Sequence, residues 1–120
     1  MEFLSKKRPI VECCIGGKPA AFLLDTGASV AFIDREYINE YALSEGKKYH
    51  GSIVGAGGEM RGVRYCNSFV TLPNGKDVAQ FLLADISGVR ESIKEETNIE
   101  IVGIISWPQM QFGGIVLDEK

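Results

Sequence analysis

The sequence predicts an all-β protein carrying one to three short helices. Two observations lead there. The apolar runs are short and are separated by turn residues: Ile10 to Ile15 is followed by Gly16-Gly17-Lys18, and Ser68 to Leu72 by Pro73-Asn74-Gly75-Lys76. The first turn also repeats. Gly17-Lys18 leads into Ala21-Phe22-Leu23-Leu24, and Gly75-Lys76 leads into Ala79 and Phe81-Leu82-Leu83. That echo suits a domain of two similar β-lobes.

Residues 1–8 are a polar lead-in, either free or available to add a strand to a partner; residues 9–120 form one domain. Ile10 to Ile15 reads as the first strand and Ala20 to Leu24 as its return. Val30 to Ile33 is a further short strand. Asp34 is placed to cap a helix with Tyr37, Ile38 and Tyr41 as its apolar stripe, ending at Gly46. From Tyr49 to Tyr65, apolar residues flank a Gly55-Ala56-Gly57-Gly58 tip, which reads as a hairpin whose backbone a ligand can approach closely. Ser68 to Leu72 and Val78 to Leu83 pair around Asn74-Gly75. Ser87 to Glu96 has helical composition. Ile99 to Gly103 is a strand closed by glycine, and Ile104 to Gln111 a short helix with Pro108 tolerated only in its first turn. Gly113 to Leu117 is a last strand, followed by a charged end.

Composition narrows the function. The net charge is −3 with scattered Lys and Arg, which is not the basic footprint of a nucleic-acid binder. No apolar run reaches the roughly 18 residues of a membrane helix. The charges of Lys6-Lys7-Arg8 follow a short apolar pair, the wrong order for a secretory signal. Three cysteines, Cys13, Cys14 and Cys66, make a disulfide framework a poor fit, so a reducing, cytoplasmic setting is expected. With one histidine, His50, neither a Cys/His metal site nor a Cys/His protease has a supporting signature. The glycine-rich tip lacks the Gly-Lys-Ser/Thr ending of a phosphate loop.

One stretch carries chemistry. In Phe22-Leu23-Leu24-Asp25-Thr26-Gly27-Ala28-Ser29-Val30-Ala31-Phe32-Ile33 a lone carboxylate sits between two apolar runs, where burial is costly unless it is neutralised or hydrogen-bonded. Gly27 is read as freeing the chain to turn sharply. The bland alternative is a turn in which Asp25 caps neighbouring amides. Asp25 to Ser29, with its apolar flanks, resembles the active-site signature of retroviral-type (retropepsin-like) aspartic proteases, and the resemblance spans roughly residues 9–118.

That resemblance implies a small closed β-barrel-like acid-protease lobe with a flap hairpin. It implies an aspartic endopeptidase acting on extended peptides. Asp25 would be the catalytic acid and base, and Thr26, Gly27, Ala28 and Ser29 the active-site loop and dimer contact. Val54, Gly55, Ala56, Gly57 and Gly58 would be the substrate-binding flap. Ile101-Val102-Gly103 would be the apolar-Gly element of the second lobe, although Trp107-Pro108 stands where the family places polar residues. This chemistry needs two carboxylates sharing a proton, and the chain supplies one such motif, so a homodimer is implied. Asp85 is the rival second carboxylate, but Ile86-Ser87-Gly88 follows it in place of Thr-Gly, and its simpler role is to cap the next helix. Ala28 brings no hydroxyl to Asp25, so the pair is expected to work at mildly acidic pH. The nucleophile is water, so no metal or organic cofactor is implied. The alternative is an inactive domain of the same fold that binds peptide or dimerises.

Overall fold

A computed structural model describes residues 2–51, 53–55, 58–60 and 62–115. The first hairpin joins β1 (Ile10–Ile15) to β2 (Lys18–Asp25), in register from Ile10 opposite Leu23 to Ile15 opposite Lys18. Its turn uses Gly16 at φ 57° and Gly17 at φ 81°, left-handed conformations that glycine adopts without a Cβ clash. β3 (Ala31–Asp34) leads into a single 3-10 turn, Arg35–Tyr37, in place of the longer helix expected there. Asp34 does cap it, accepting the Glu36 amide at 3.0 Å. Tyr37, Ile38 and Tyr41 pack on the core without a continuous helix. Gly46 ends no helix; it lies within β4 (Glu45–Lys48), where its carbonyl accepts from Arg64 Nε at 3.1 Å.

β5 (Val54–Gly55) and β6 (Gly58–Glu59) form an antiparallel hairpin, extended by the Met60 amide donating to the Ile53 carbonyl at 2.9 Å. Ala56 and Gly57 of the expected tip lie outside the described residues. β7 (Arg64–Cys66), β8 (Val70–Thr71), β9 (Asp77–Val78) and β10 (Phe81–Ala84) follow. The single strand expected over Val78 to Leu83 is broken at Gln80, whose φ of 69° interrupts the pleat. α1 (Ser87–Thr97) comes next, then β11 (Gly103–Ser106) and α2 (Trp107–Phe112), with Pro108 in the first turn. Both differ from the sequence reading. Ile104 and Ile105 are strand, and Ile101-Val102 precede it as buried irregular backbone. Gly113 and Gly114 form a turn, with Gly114 at φ 72°; residues 116–117 of the expected last strand lie outside the described residues.

Among the described residues, nine strands form one sheet in the order β4-β7-β10-β3-β11-β2-β1-β8-β9, and β5 and β6 make a separate two-stranded pair. The protein is all-β as expected, but among the described residues the sheet is open, with β4 and β9 at its edges, rather than closed. Its centre explains the apolar runs. In β2, Phe22 and Leu24 enter one core cluster and Leu23 the other; in β3, Ala31 and Ile33 face one and Phe32 the other; in β11, Ile105 and Ile104 divide likewise. Strands buried on both faces have no polar side, so alternation is lost and the sequence reads as continuous apolar residues. Gly103 lets β11 enter between β2 and β3. A Cβ there would lie 2.7 Å from the Phe22 ring and closer still to the Phe32 carbonyl oxygen.

The lead-in is tied down. Arg8 pairs with Glu96 at 3.1 Å, and Lys7 Nζ donates to the Glu96 carbonyl at 3.1 Å, near the C-terminal end of α1 where a cation is favoured. Among the described residues no helix is long and apolar enough to cross a membrane.

Candidate active site

Asp25 ends β2, the strand with core on both sides, so the sheet delivers its carboxylate to a loop held on two flanks. Within the loop, the Gly27 amide donates to Asp25 Oδ1 at 3.0 Å, and the Ala28 amide donates to the Asp25 carbonyl at 3.2 Å. Across from it, Ser106 of β11 is in register with Asp25, and the Trp107 amide donates to the Ala28 carbonyl at 3.1 Å. The loop therefore bridges to the start of α2. On the other flank, the Leu24 amide donates to the Pro9 carbonyl at 2.9 Å.

Asp25 is half-buried, as are Ala28 and Val30, while Thr26, Gly27 and Ser29 are exposed. The turn does not need the left-handed freedom read for Gly27, which is not among the residues at positive φ. What glycine does there is keep open the space beside Asp25: a Cβ would sit 3.4 Å from Oδ1, in ordinary contact with it.

The second-lobe residues join β2 and β3, the strands on either side of this loop. The Val102 amide donates to the Ala21 carbonyl at 2.7 Å, and its carbonyl accepts from the Asp34 amide at 2.9 Å, so Val102 spans β2 and β3. Ile101 is fully buried and Gly103 opens β11. The apolar pair directly before α2 is Ile104-Ile105, followed by Ser106, rather than Ile101-Val102. Val54 and Gly55 lie on β5 and Gly58 on β6. The flanks of that hairpin, Ile53 and Met60, pack on the same cluster as Val30 and Tyr49.

A cavity of about 340 Å³ opens beside the loop, lined by Ser29, Val30, Tyr49, Tyr65, Leu82 and the trio Gln80, Pro108 and Gln109. The Tyr49 and Tyr65 rings meet edge to face, 5.4 Å apart. Gln109 Nε2 donates to the Gln80 carbonyl at 3.0 Å and holds that strained residue in place. Tyr49, Tyr65, Gln80, Leu82, Pro108 and Gln109 were not legible as site residues; they come from four separate segments, with no local pattern to join them. Arg8 was missed too. Its pKa is raised, first by the hydrogen bond and charge of Glu96 and to a smaller degree by the negative charge of Asp25.

The competing groups are engaged elsewhere. Asp85 Oδ1 accepts the Ser87 amide at 3.0 Å at the start of α1, and the hydrogen bonds from Ser87 hold its carboxyl below the usual carboxylate range. Burial pushes the Cys13 thiol up to about 12, the reverse of what a nucleophilic thiolate needs.

Comparison with known proteins agrees with this geometry. The family profile described as Aspartyl protease matches residues 11–105, from β1 through Ile105. The chain belongs to the aspartyl protease family. Among solved structures, this family member is similar to EIAV protease complexed with the inhibitor HBY-793. The two are 25% identical with a TM-score of 0.68, and the match covers 98% of this chain and 99% of that one. The protein is therefore a retropepsin-like aspartic protease in family and fold, and the likeness includes α2 as well as the Asp25 loop.

Proposed function

We propose that the protein is an aspartic endopeptidase that works as a homodimer, with Asp25 from each copy forming one catalytic pair. The single observation that carries this is where the two candidate carboxylates stand: each accepts the amide two residues on, but Asp25 is half-buried at the end of a central strand, while Asp85 is exposed at the start of α1. Of these two candidates one chain thus offers a single suitable carboxylate, and the chemistry needs two.

In the pair, close carboxylates resist ionising together, so they hold one proton between them. The ionised member takes a proton from water as the water oxygen bonds to the scissile carbonyl carbon. The protonated member gives its proton to the carbonyl oxygen. The tetrahedral intermediate then collapses: one of its hydroxyls returns a proton to the ionised carboxylate as the C=O re-forms, the C–N bond breaks, and the amine takes the proton of the other carboxyl, so the pair again holds one proton. The exposed Thr26 side chains would meet across the two-fold axis and hold the loops together. The β5–β6 hairpin would close over the peptide as a flap and exclude water. The peptide would lie as an added strand, its side chains entering the cavity beside Ser29 and Val30. The three free thiols, two of them buried, suit a reducing cytoplasmic compartment.

The test is Asp25→Asn beside wild type on a peptide library, with sedimentation to follow assembly. Cleavage by wild type that is lost in the variant and blocked by a statine-type inhibitor supports the proposal. Wild type that binds but cleaves nothing between pH 3 and 8 would instead mark a peptide-binding domain of this fold.

A further inference from the structure

Gln80, Pro108 and Gln109 wall the cavity beside the catalytic loop, and they have a second side. There lies another cavity, of about 320 Å³, flanked by Phe69 and Phe112 and floored by Val78 and Ala79. Phe69 is 62% exposed and Phe112 82%. Two large rings left in water around an apolar hollow mark a surface that is covered in use. Gln80 and Pro108, both exposed, form a ridge between the two hollows. The wall is also held under tension: Gln80 keeps a positive φ, and Gln109, a residue 8% exposed, buries its Oε1 without a hydrogen-bond partner among the described residues.

We propose that the Phe69–Phe112 groove is a distal subsite of the same cleft. Its occupant is the peptide substrate itself, which crosses the Gln80–Pro108 ridge and places an apolar or aromatic side chain between the two rings. Continuity decides the occupant, since three residues belong to both hollows. Because a two-fold dimer presents one groove per copy, apolar residues on both flanks of the scissile bond are selected. The inference rests on the peptidase reading, and the experiment separates the two.

The probe is Asp25→Asn protein, titrated by fluorescence anisotropy with a core peptide filling the cleft. The same core is then extended at both ends with Phe- and Leu-containing segments, or with Gly-Ser segments. The apolar extension tightens binding roughly tenfold and the Gly-Ser extension does not. In the added background Phe69→Ser/Phe112→Ser that gain disappears while the core peptide binds as before; both sites are on the surface, and a thermal melt checks that the fold is kept. An equal gain from Gly-Ser, no gain at all, or a gain that survives the double substitution overturns the subsite. So does a fall in oligomer size in the double variant, which would assign the rings to contact between copies. If wild type cleaves no peptide, the peptidase reading fails, and the binding comparison still decides the groove.

Discussion

Replacing Arg90 with methionine should cost this protein about 3–5 kcal/mol, because it strands a buried carboxylate. Arg90 reaches from α1 to four partners. Nη1 donates to Asp34 Oδ2 at 3.0 Å and Glu36 Oε2 at 2.8 Å, Nη2 to the Tyr37 hydroxyl at 2.7 Å, and Nε to the Ile101 carbonyl at 3.1 Å. Its guanidinium also lies over the Tyr37 ring, 4.6 Å from the centroid. Burial by itself pulls the Arg90 pKa down, but the hydrogen bonds to Glu36 and Asp34 outweigh it, so the net shift is upward and the group stays charged. The partners differ in weight. The Glu36 side chain is 71% exposed, so that pair contributes about 1 kcal/mol or less. The Asp34 side chain is 3% exposed, and without Arg90 it is left charged in the core. Asp34→Asn keeps a carbonyl oxygen for the Glu36 amide and removes the charge. The double variant Arg90→Met/Asp34→Asn should therefore lose less than the sum of the two single changes. Urea unfolding at one fixed protein concentration measures all three, since assembly shifts apparent stability. A loss below about 1 kcal/mol in Arg90→Met, or strict additivity in the double variant, would refute the reasoning.

Further outcomes follow from other residues. Gly103→Ala pushes a methyl group into the Phe32 carbonyl and Phe22 ring, so the urea midpoint should fall by an amount matching at least about 1–3 kcal/mol. Asp85→Ala should keep full cleavage activity while removing about 1 kcal/mol or less of capping. The Asp85 pKa is depressed in the fold, so its contribution is present above the ordinary carboxylate range and is lost as pH falls below it; the difference between Asp85→Ala and wild type should narrow in acid. Loss of cleavage in Asp85→Ala would revive it as the second catalytic carboxylate. Cys13, with its thiol pushed up to about 12, should resist iodoacetamide at pH 8 in the folded protein and react on unfolding, as followed by mass spectrometry.

Much of this architecture could be read locally. β1 and its turn were legible because Gly16-Gly17 separates two apolar runs, and the Asp25 loop because a carboxylate there interrupts an otherwise apolar stretch. The start and length of α1 followed from composition. Ile104-Ile105 was misread because a short apolar run fits a buried strand and a helix equally well. Only its insertion between β2 and β3, where Gly103 permits close approach, settles the matter. The break at Gln80 had no signal, since a non-glycine residue at positive φ is held there by Gln109, 29 residues away. The same holds for Arg8 with Glu96 and Arg90 with Asp34, which are separated by 88 and 56 residues. The cavity residues Tyr49, Tyr65 and Gln80 meet only once the sheet is assembled.

The most direct test of the shared catalytic pair is a mixing experiment. Wild type and Asp25→Asn chains are unfolded together in equal amounts, refolded, and assayed on one peptide at fixed total protein. If each active unit needs Asp25 from both copies, random pairing leaves about a quarter of the wild-type rate. Activity near one half would mean that each chain works with its own carboxylate, and the two-copy account would be wrong.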